Sequence, residues 1–113
     1  MSDLASRRCV SCEGETRSLD LAASMKLKEQ LHSRWRLLQD GKLLEAEFAF
    51  RNYYQTQAFV NAAAWIAHSE NHHPDIRFGY KTAVVSWWTH AANGLTENDF
   101  ICAAKVDALL VAD

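Results

Sequence analysis

Residues 68–90 read His68-Ser69-Glu70-Asn71-His72-His73-Pro74-Asp75-Ile76-Arg77-Phe78-Gly79-Tyr80-Lys81-Thr82-Ala83-Val84-Val85-Ser86-Trp87-Trp88-Thr89-His90. Helix gives way to sheet inside this stretch. Pro74, the only proline, ends any helical reading, because the residue before a proline is pushed away from the α region. Asp75 to Gly79 then reads as a short strand. From Thr82 to His90 the chain alternates: Ala83, Val85, Trp87 and Thr89 face one side, and Thr82, Val84, Ser86, Trp88 and His90 the other. Strict alternation predicts a strand with one buried face.

Upstream, Asn52 is placed to cap a helix over residues 53–70. Tyr54, Ala58, Ala62 and Trp65 form one stripe on it, and Phe59, Ala63 and Ile66 widen that stripe. Before this helix, residues 35–38 and 43–50 read as two strands joined at Asp40-Gly41, a favoured hairpin pair. Leu44, Ala46, Phe48 and Phe50 share the apolar side of the second strand. A first helix is expected over residues 19–33, capped by Ser18, with Leu21, Met25, Leu27 and Leu31 as its buried side. Downstream, Ala92-Asn93-Gly94 signals a turn. Thr96-x-x-Asp99 is a capping box with Asp in place of the usual Glu or Gln. It opens a helix over residues 97–111 whose inner side holds Phe100, Ile101, Ala104, Ala108 and Val111.

The order is helix, hairpin, helix, hairpin, helix. It predicts an α+β, two-layer domain: a four-stranded antiparallel sheet with three helices packed on one face. At 113 residues there is room for one core. Residues 1–17 are expected to be an irregular N-terminal arm and residues 18–113 a single domain.

Composition narrows the function. The net charge of −2 gives no basic stripe, so nucleic acid is not an expected partner. No apolar run approaches the ~20 residues that cross a bilayer, so no membrane role is expected. The N-terminal residues carry no apolar signal core, which points to a cytoplasmic protein. There are three cysteines, Cys9, Cys12 and Cys102. Cys9-x-x-Cys12 resembles half a zinc knuckle, but a structural zinc site needs a second pair of ligands.

Residues 68–90 also hold four of the five histidines, His68, His72, His73 and His90; the fifth, His32, reads as an ordinary surface residue. His68 and His72 stand four apart, as the ligands of H-E-x-x-H do, but Ser69 and Glu70 follow His68 and no cysteine completes a set. The remaining chemistry is acid–base. Imidazole both gives and takes a proton near neutral pH. Histidines converging from a helix end and a strand end can flank a substrate, with Tyr80 and Trp88 as flat walls for a heterocycle.

The spacing His68, three residues, His72-His73-Pro74, five residues, Tyr80, nine residues, His90, eight residues, Asp99 resembles the pterin-4a-carbinolamine dehydratases. Trp35, the Glu47-Phe48-Ala49-Phe50 strand and the run from Trp87 to Phe100 are also similar, so the resemblance covers about residues 18–111. The Cys9–Cys12 arm resembles bacterial members. Many members carry Glu where this chain has His68, and Lys where it has Ser69. Animal members commonly carry Arg at the position of Asn98.

The resemblance implies dehydration of 4a-hydroxytetrahydropterin to quinonoid dihydropterin, which recycles the cofactor of aromatic amino-acid hydroxylases. It implies no metal and no organic cofactor. His72, His73 and His90 would be the catalytic histidines, with His72 and His90 as the acid–base pair and His73 mainly holding substrate. His68, Asp99, Tyr80 and Trp88 would be the substrate-binding group, with His68 and Asp99 orienting imidazoles or ring polar groups. A homodimer or homotetramer is expected, with the alanine-rich helix 53–70 or a sheet edge in the contact, and a functional link to an aromatic amino-acid hydroxylase. Animal members also act as dimerisation cofactors for a homeodomain transcription factor. A protein-interaction role, or action on another small molecule, is therefore the alternative.

Overall fold

The computed structural model describes residues 3–10 and 17–110. Its elements are α1 (Leu21–Lys28), β1 (Arg36–Leu38), β2 (Leu43–Ala49), α2 (Tyr53–Glu70), β3 (Asp75–Phe78), β4 (Thr82–Trp87) and α3 (Glu97–Ala108), with short 3-10 helices at Leu4–Ser6 and His90–Ala92. The strands form one antiparallel sheet in the order β1-β2-β4-β3. This is the expected α+β architecture.

The alternation in β2 and β4 sets the core. Ala46 pairs with Val85 and Phe48 with Ala83, so both apolar rows lie on one face. Leu44, Ala46, Ala83, Val85 and Trp87 are fully buried there. Phe48 packs edge-on against Trp35 and at a tilt against Phe59 of α2. The opposite face carries Glu45, Asp75, Arg77 and Ser86. There the Ser86 hydroxyl donates to the Glu45 carboxylate at 2.6 Å, and Arg36 and Arg77 approach the same group.

Several expectations about the helices need correction. α1 is shorter than residues 19–33, and Asp20 rather than Ser18 caps it, accepting the Ala23 N–H at 2.8 Å. Beyond Lys28 the chain tightens into i→i+3 bonds. Leu21 and Met25 are more than half exposed. A helix turns about 100° per residue, so Met25 and Leu27 point to opposite sides and cannot both meet the core. Buried Ser24 and partly buried Leu27 and Leu31 form the inner side instead.

α2 has the expected bounds, but its inner side is Thr56, Phe59, Val60, Ala63 and Ala67. The stripe begun by Tyr54 and Trp65 faces outward, with those residues 82% and 67% exposed. In α3 nearly every residue from Asn98 to Val106 is buried, Ala108 is exposed, and Val111 lies outside the described residues.

The burial of α3 on almost all sides has a cause in the arm. Leu4 is fully buried against it, and Lys105 Nζ donates to the Ala5 carbonyl at 2.7 Å. The described part of the arm, expected to be irregular, is a 3-10 turn and an extended segment docked on the domain. Cys12 lies outside the described residues.

Candidate active site

Two chain reversals build the site. At the end of α2, Asn71 adopts a left-handed conformation (φ 53°, ψ 44°), and the His72 N–H bonds back to the Ala67 carbonyl at 3.1 Å. Such a cap closes a helix and turns the chain sharply. Pro74 then directs it into β3, leaving His72 and His73 on the connection.

The second reversal follows β4. The strand ends at Trp87, not at residue 90, and His90 begins a 3-10 helix. A lone bridge between Thr89 and Gly94 closes the loop, with Asn93 left-handed. Gly94 is required by proximity: a Cβ there would sit 2.9 Å from Ser18 Cβ. His90 thus stands on a turn that faces the end of α2.

Asp99 ties the two reversals together. It lies at the start of α3 and is fully buried. A buried carboxylate needs hydrogen bonds to offset its lost hydration. Its Oδ2 accepts from the Thr89 hydroxyl at 2.8 Å and from the Thr96 N–H at 3.0 Å. Its Oδ1 lies 2.6 Å from His72 Nε2. The capping role and the histidine contact are therefore made by one side chain. The His72 ring also stacks on Trp87, with centroids 5.6 Å apart and planes within 9°. With Nε2 engaged by Asp99, Nδ1 is the ring nitrogen left for another partner.

A cleft of about 430 Å³ opens in front of this group, lined by Cys9, Glu70, His72, His73, Trp88 and His90 among others. The His73 and His90 rings lie 5.7 Å apart, and His90 lies 4.5 Å from Trp88. Glu70 forms part of the wall. Burial pushes its carboxyl up, but the Cys9 N–H, Lys105 and Arg8 together outweigh burial and hold it below the ordinary carboxylate value.

Of the residues singled out in the sequence, His72, His73, His90 and Trp88 meet in one cleft. His68 is exposed beside Trp65 and borders an adjoining hollow that shares His72 and His73. Asp99 stands behind His72 and is not among the residues lining the cleft. Tyr80 is not brought to the histidines within one chain. It sits at the β3–β4 tip, where its carbonyl accepts from Thr56 Oγ1, about 20 Å of strand away from His90. The sequence reading missed Thr89, Trp87, Glu70 and the arm residues Cys9 and Val10. Thr89 left one signal, a polar side chain in the core-facing row of the alternating stretch 82–90, and such groups are hydrogen-bonded when buried. Among the described residues, no group of three or more His, Cys, Asp or Glu side chains is arranged to hold a metal ion.

Residues 19–109 match the family model described as Pterin 4 alpha carbinolamine dehydratase. The chain belongs to the pterin-4-alpha-carbinolamine dehydratase family. A relative in Legionella pneumophila (strain Corby), named "Putative pterin-4-alpha-carbinolamine dehydratase", is 52% identical over 110 residues, spanning 97% of each chain. One of the same name in Nitrosospira multiformis is 52% identical over 109 residues, covering 96% of this chain and 94% of its own. Among solved structures, the chain resembles a transcriptional coactivator/pterin dehydratase from Brucella melitensis, with TM-score 0.77 and 26% identity, over 82% of this chain and 98% of that one. It also resembles a pterin dehydratase-like protein identified as a RuBisCO assembly factor in the alpha-carboxysome. There the TM-score is 0.62 and the identity 32%, over 73% of this chain and 95% of that one. Among the described residues, no helix is long and apolar enough to cross a membrane.

Proposed function

We propose that the protein is a 4a-hydroxytetrahydropterin dehydratase, releasing quinonoid dihydropterin and water by histidine acid–base chemistry in tetrahydropterin recycling. The observation that carries this reading is the 2.6 Å contact between His72 Nε2 and buried Asp99, set behind a cleft that His73 and His90 also line. Elimination needs a proton delivered to the departing 4a-hydroxyl and a proton taken from the ring as the double bond forms. His72 is the positioned member of the pair: Asp99 and the Trp87 face fix its ring, and its Nδ1 exchanges the proton. His90 serves from the opposite wall, and His73 holds the substrate between them. Each general acid or base of this kind is worth about 10²–10⁴-fold in rate. Trp88 gives the flat ring an apolar surface, and Asp99 acts through His72 rather than on substrate. His68, at the rim, contacts the substrate's periphery.

The test is direct. Purified protein is mixed with freshly generated 4a-hydroxytetrahydropterin and dehydration is followed spectroscopically. A rate well above the spontaneous one, unchanged by chelator, supports the reading; a rate equal to the spontaneous one refutes it.

A second reading is a protein-interaction role. It is favoured by the coactivator and assembly-factor descriptions of the two structural relatives and by the exposed Tyr54 and Trp65 on α2. The simpler use of that helix face is a homodimer or homotetramer. Ala62→Glu, on the outer side of α2, then lowers the mass seen by light scattering. Ala63 is fully buried in the core and is unsuitable for this test.

A further inference from the structure

We propose that Cys9 and Cys102 form a reversible disulfide that fastens the N-terminal arm across the wall of the histidine cleft. The two sulfurs lie 3.5 Å apart although 93 positions separate them in sequence. A disulfide bond is about 2.05 Å long, so the pair must close by only about 1.5 Å. Both partners are already held in place. The Cys9 N–H donates to Glu70 Oε1 at 2.8 Å. Next to it, the Val10 N–H donates to Asn98 Oδ1 and Asn98 Nδ2 donates back to the Val10 carbonyl, at 3.0 and 2.7 Å. Arg8 Nε pairs with Glu70 at 2.9 Å, and Leu4 is anchored in the core. Cys102 is fully buried within α3.

Access decides the order of events. Cys9 is partly exposed and lines the cleft, whereas Cys102 is buried and does not line it. The oxidant is a small-molecule disulfide such as oxidised glutathione. The Cys9 thiolate attacks one of its sulfurs, the external S–S bond breaks, and one glutathione leaves as thiolate. The Cys102 sulfur then attacks Cys9 Sγ, its proton passing to the second departing glutathione. Two protein thiols are oxidised and one external disulfide is reduced to two thiols. The hydrogen bond with Cys9, burial, and the nearby Asp99 and Glu70 carboxylates all push the Cys102 thiol up.

The experiment uses the full chain with oxidised glutathione, followed by peptide mapping without reductant and by thermal unfolding. The expected product is an intrachain Cys9–Cys102 linkage that persists in Cys12→Ala, is lost in Cys102→Ala and in Cys9→Ser, and is reversed by dithiothreitol. Closing a loop of this length raises Tm by about 10 °C or more. A Cys9–Cys12 linkage, an interchain linkage, a stalled glutathione adduct, or no linkage overturns the proposal. So does a Cys9–Cys102 bond that leaves Tm unchanged.

Discussion

The two walls of the cleft are built differently. On one wall His72 is hydrogen-bonded to a buried carboxylate, stacked on a buried indole, and its side chain is 12% exposed. On the other, His73 and His90 are exposed, and ring contacts with each other and with Trp88 are what position them. On the proposed mechanism, the contrast pairs a proton-transfer group of fixed direction with partners able to adjust to a substrate. The fixed wall depends on packing deep in the domain. The adjustable wall depends on a short turn.

The largest expected effect of breaking this contrast is at Asp99. Asp99→Ala leaves the Thr96 N–H and His72 without this partner and the Thr89 hydroxyl with only the Thr96 hydroxyl, at a cost of about 3 kcal/mol measurable by urea unfolding. A variant as stable as the parent would show that this wall is not rigidly tied. Thr89→Val is milder. It removes the hydroxyl's bonds to Asp99 and to Thr96 and costs about 1–2 kcal/mol. If Thr89 acts by positioning, kcat falls while KM holds, and Thr89→Ser restores kcat; a KM effect alone would place Thr89 against substrate instead.

Glu70 gives a smaller, pH-dependent effect. Its native value lies below the ordinary 4.5. Its contribution to stability is therefore fully present above that ordinary value and is lost as pH falls through the lower native one. Glu70→Gln removes that acid-sensitive part, so its stability declines less steeply between about pH 5 and pH 3. Equal slopes for variant and parent would refute the assignment. The smallest effect is at Tyr80: with the residue 66% exposed at the hairpin tip, Tyr80→Ala changes kcat/KM by less than about 3-fold. A larger loss would mean that this tip reaches a site on a neighbouring subunit.

The sheet was legible in the sequence because side-chain alternation has a period of two, and a mistaken register would move every residue to the other face. Phe48 and Val85 could face only inward. Helix faces were less legible. In α1 two leucine-containing pairs compete for one face, and only contact with the sheet decides between them. In α2 an outward stripe headed by Tyr54 and Trp65 is as apolar as the inward one. Within the candidate site, what was legible is that His72 and His73, from the end of a helix, and His90, from beyond a strand, converge on one cleft. Thr89 and Trp87 were not legible, because a polar residue that bonds a buried acid and an indole that supports an imidazole look like ordinary core until the tertiary fold brings them together. The arm was unreadable for another reason: Leu4 is a single apolar residue without periodicity, and its burial depends on a groove made by α3.

The central claim is that proton transfer runs between His72 and His90. Steady-state dehydration of 4a-hydroxytetrahydropterin by His72→Ala and by His90→Ala, each first shown to be folded by circular dichroism, tests it most directly. The account predicts that kcat falls by about 10²-fold or more in both, whereas His73→Ala mainly raises KM and His32→Ala changes neither. Near-parental turnover by both His72→Ala and His90→Ala would contradict it.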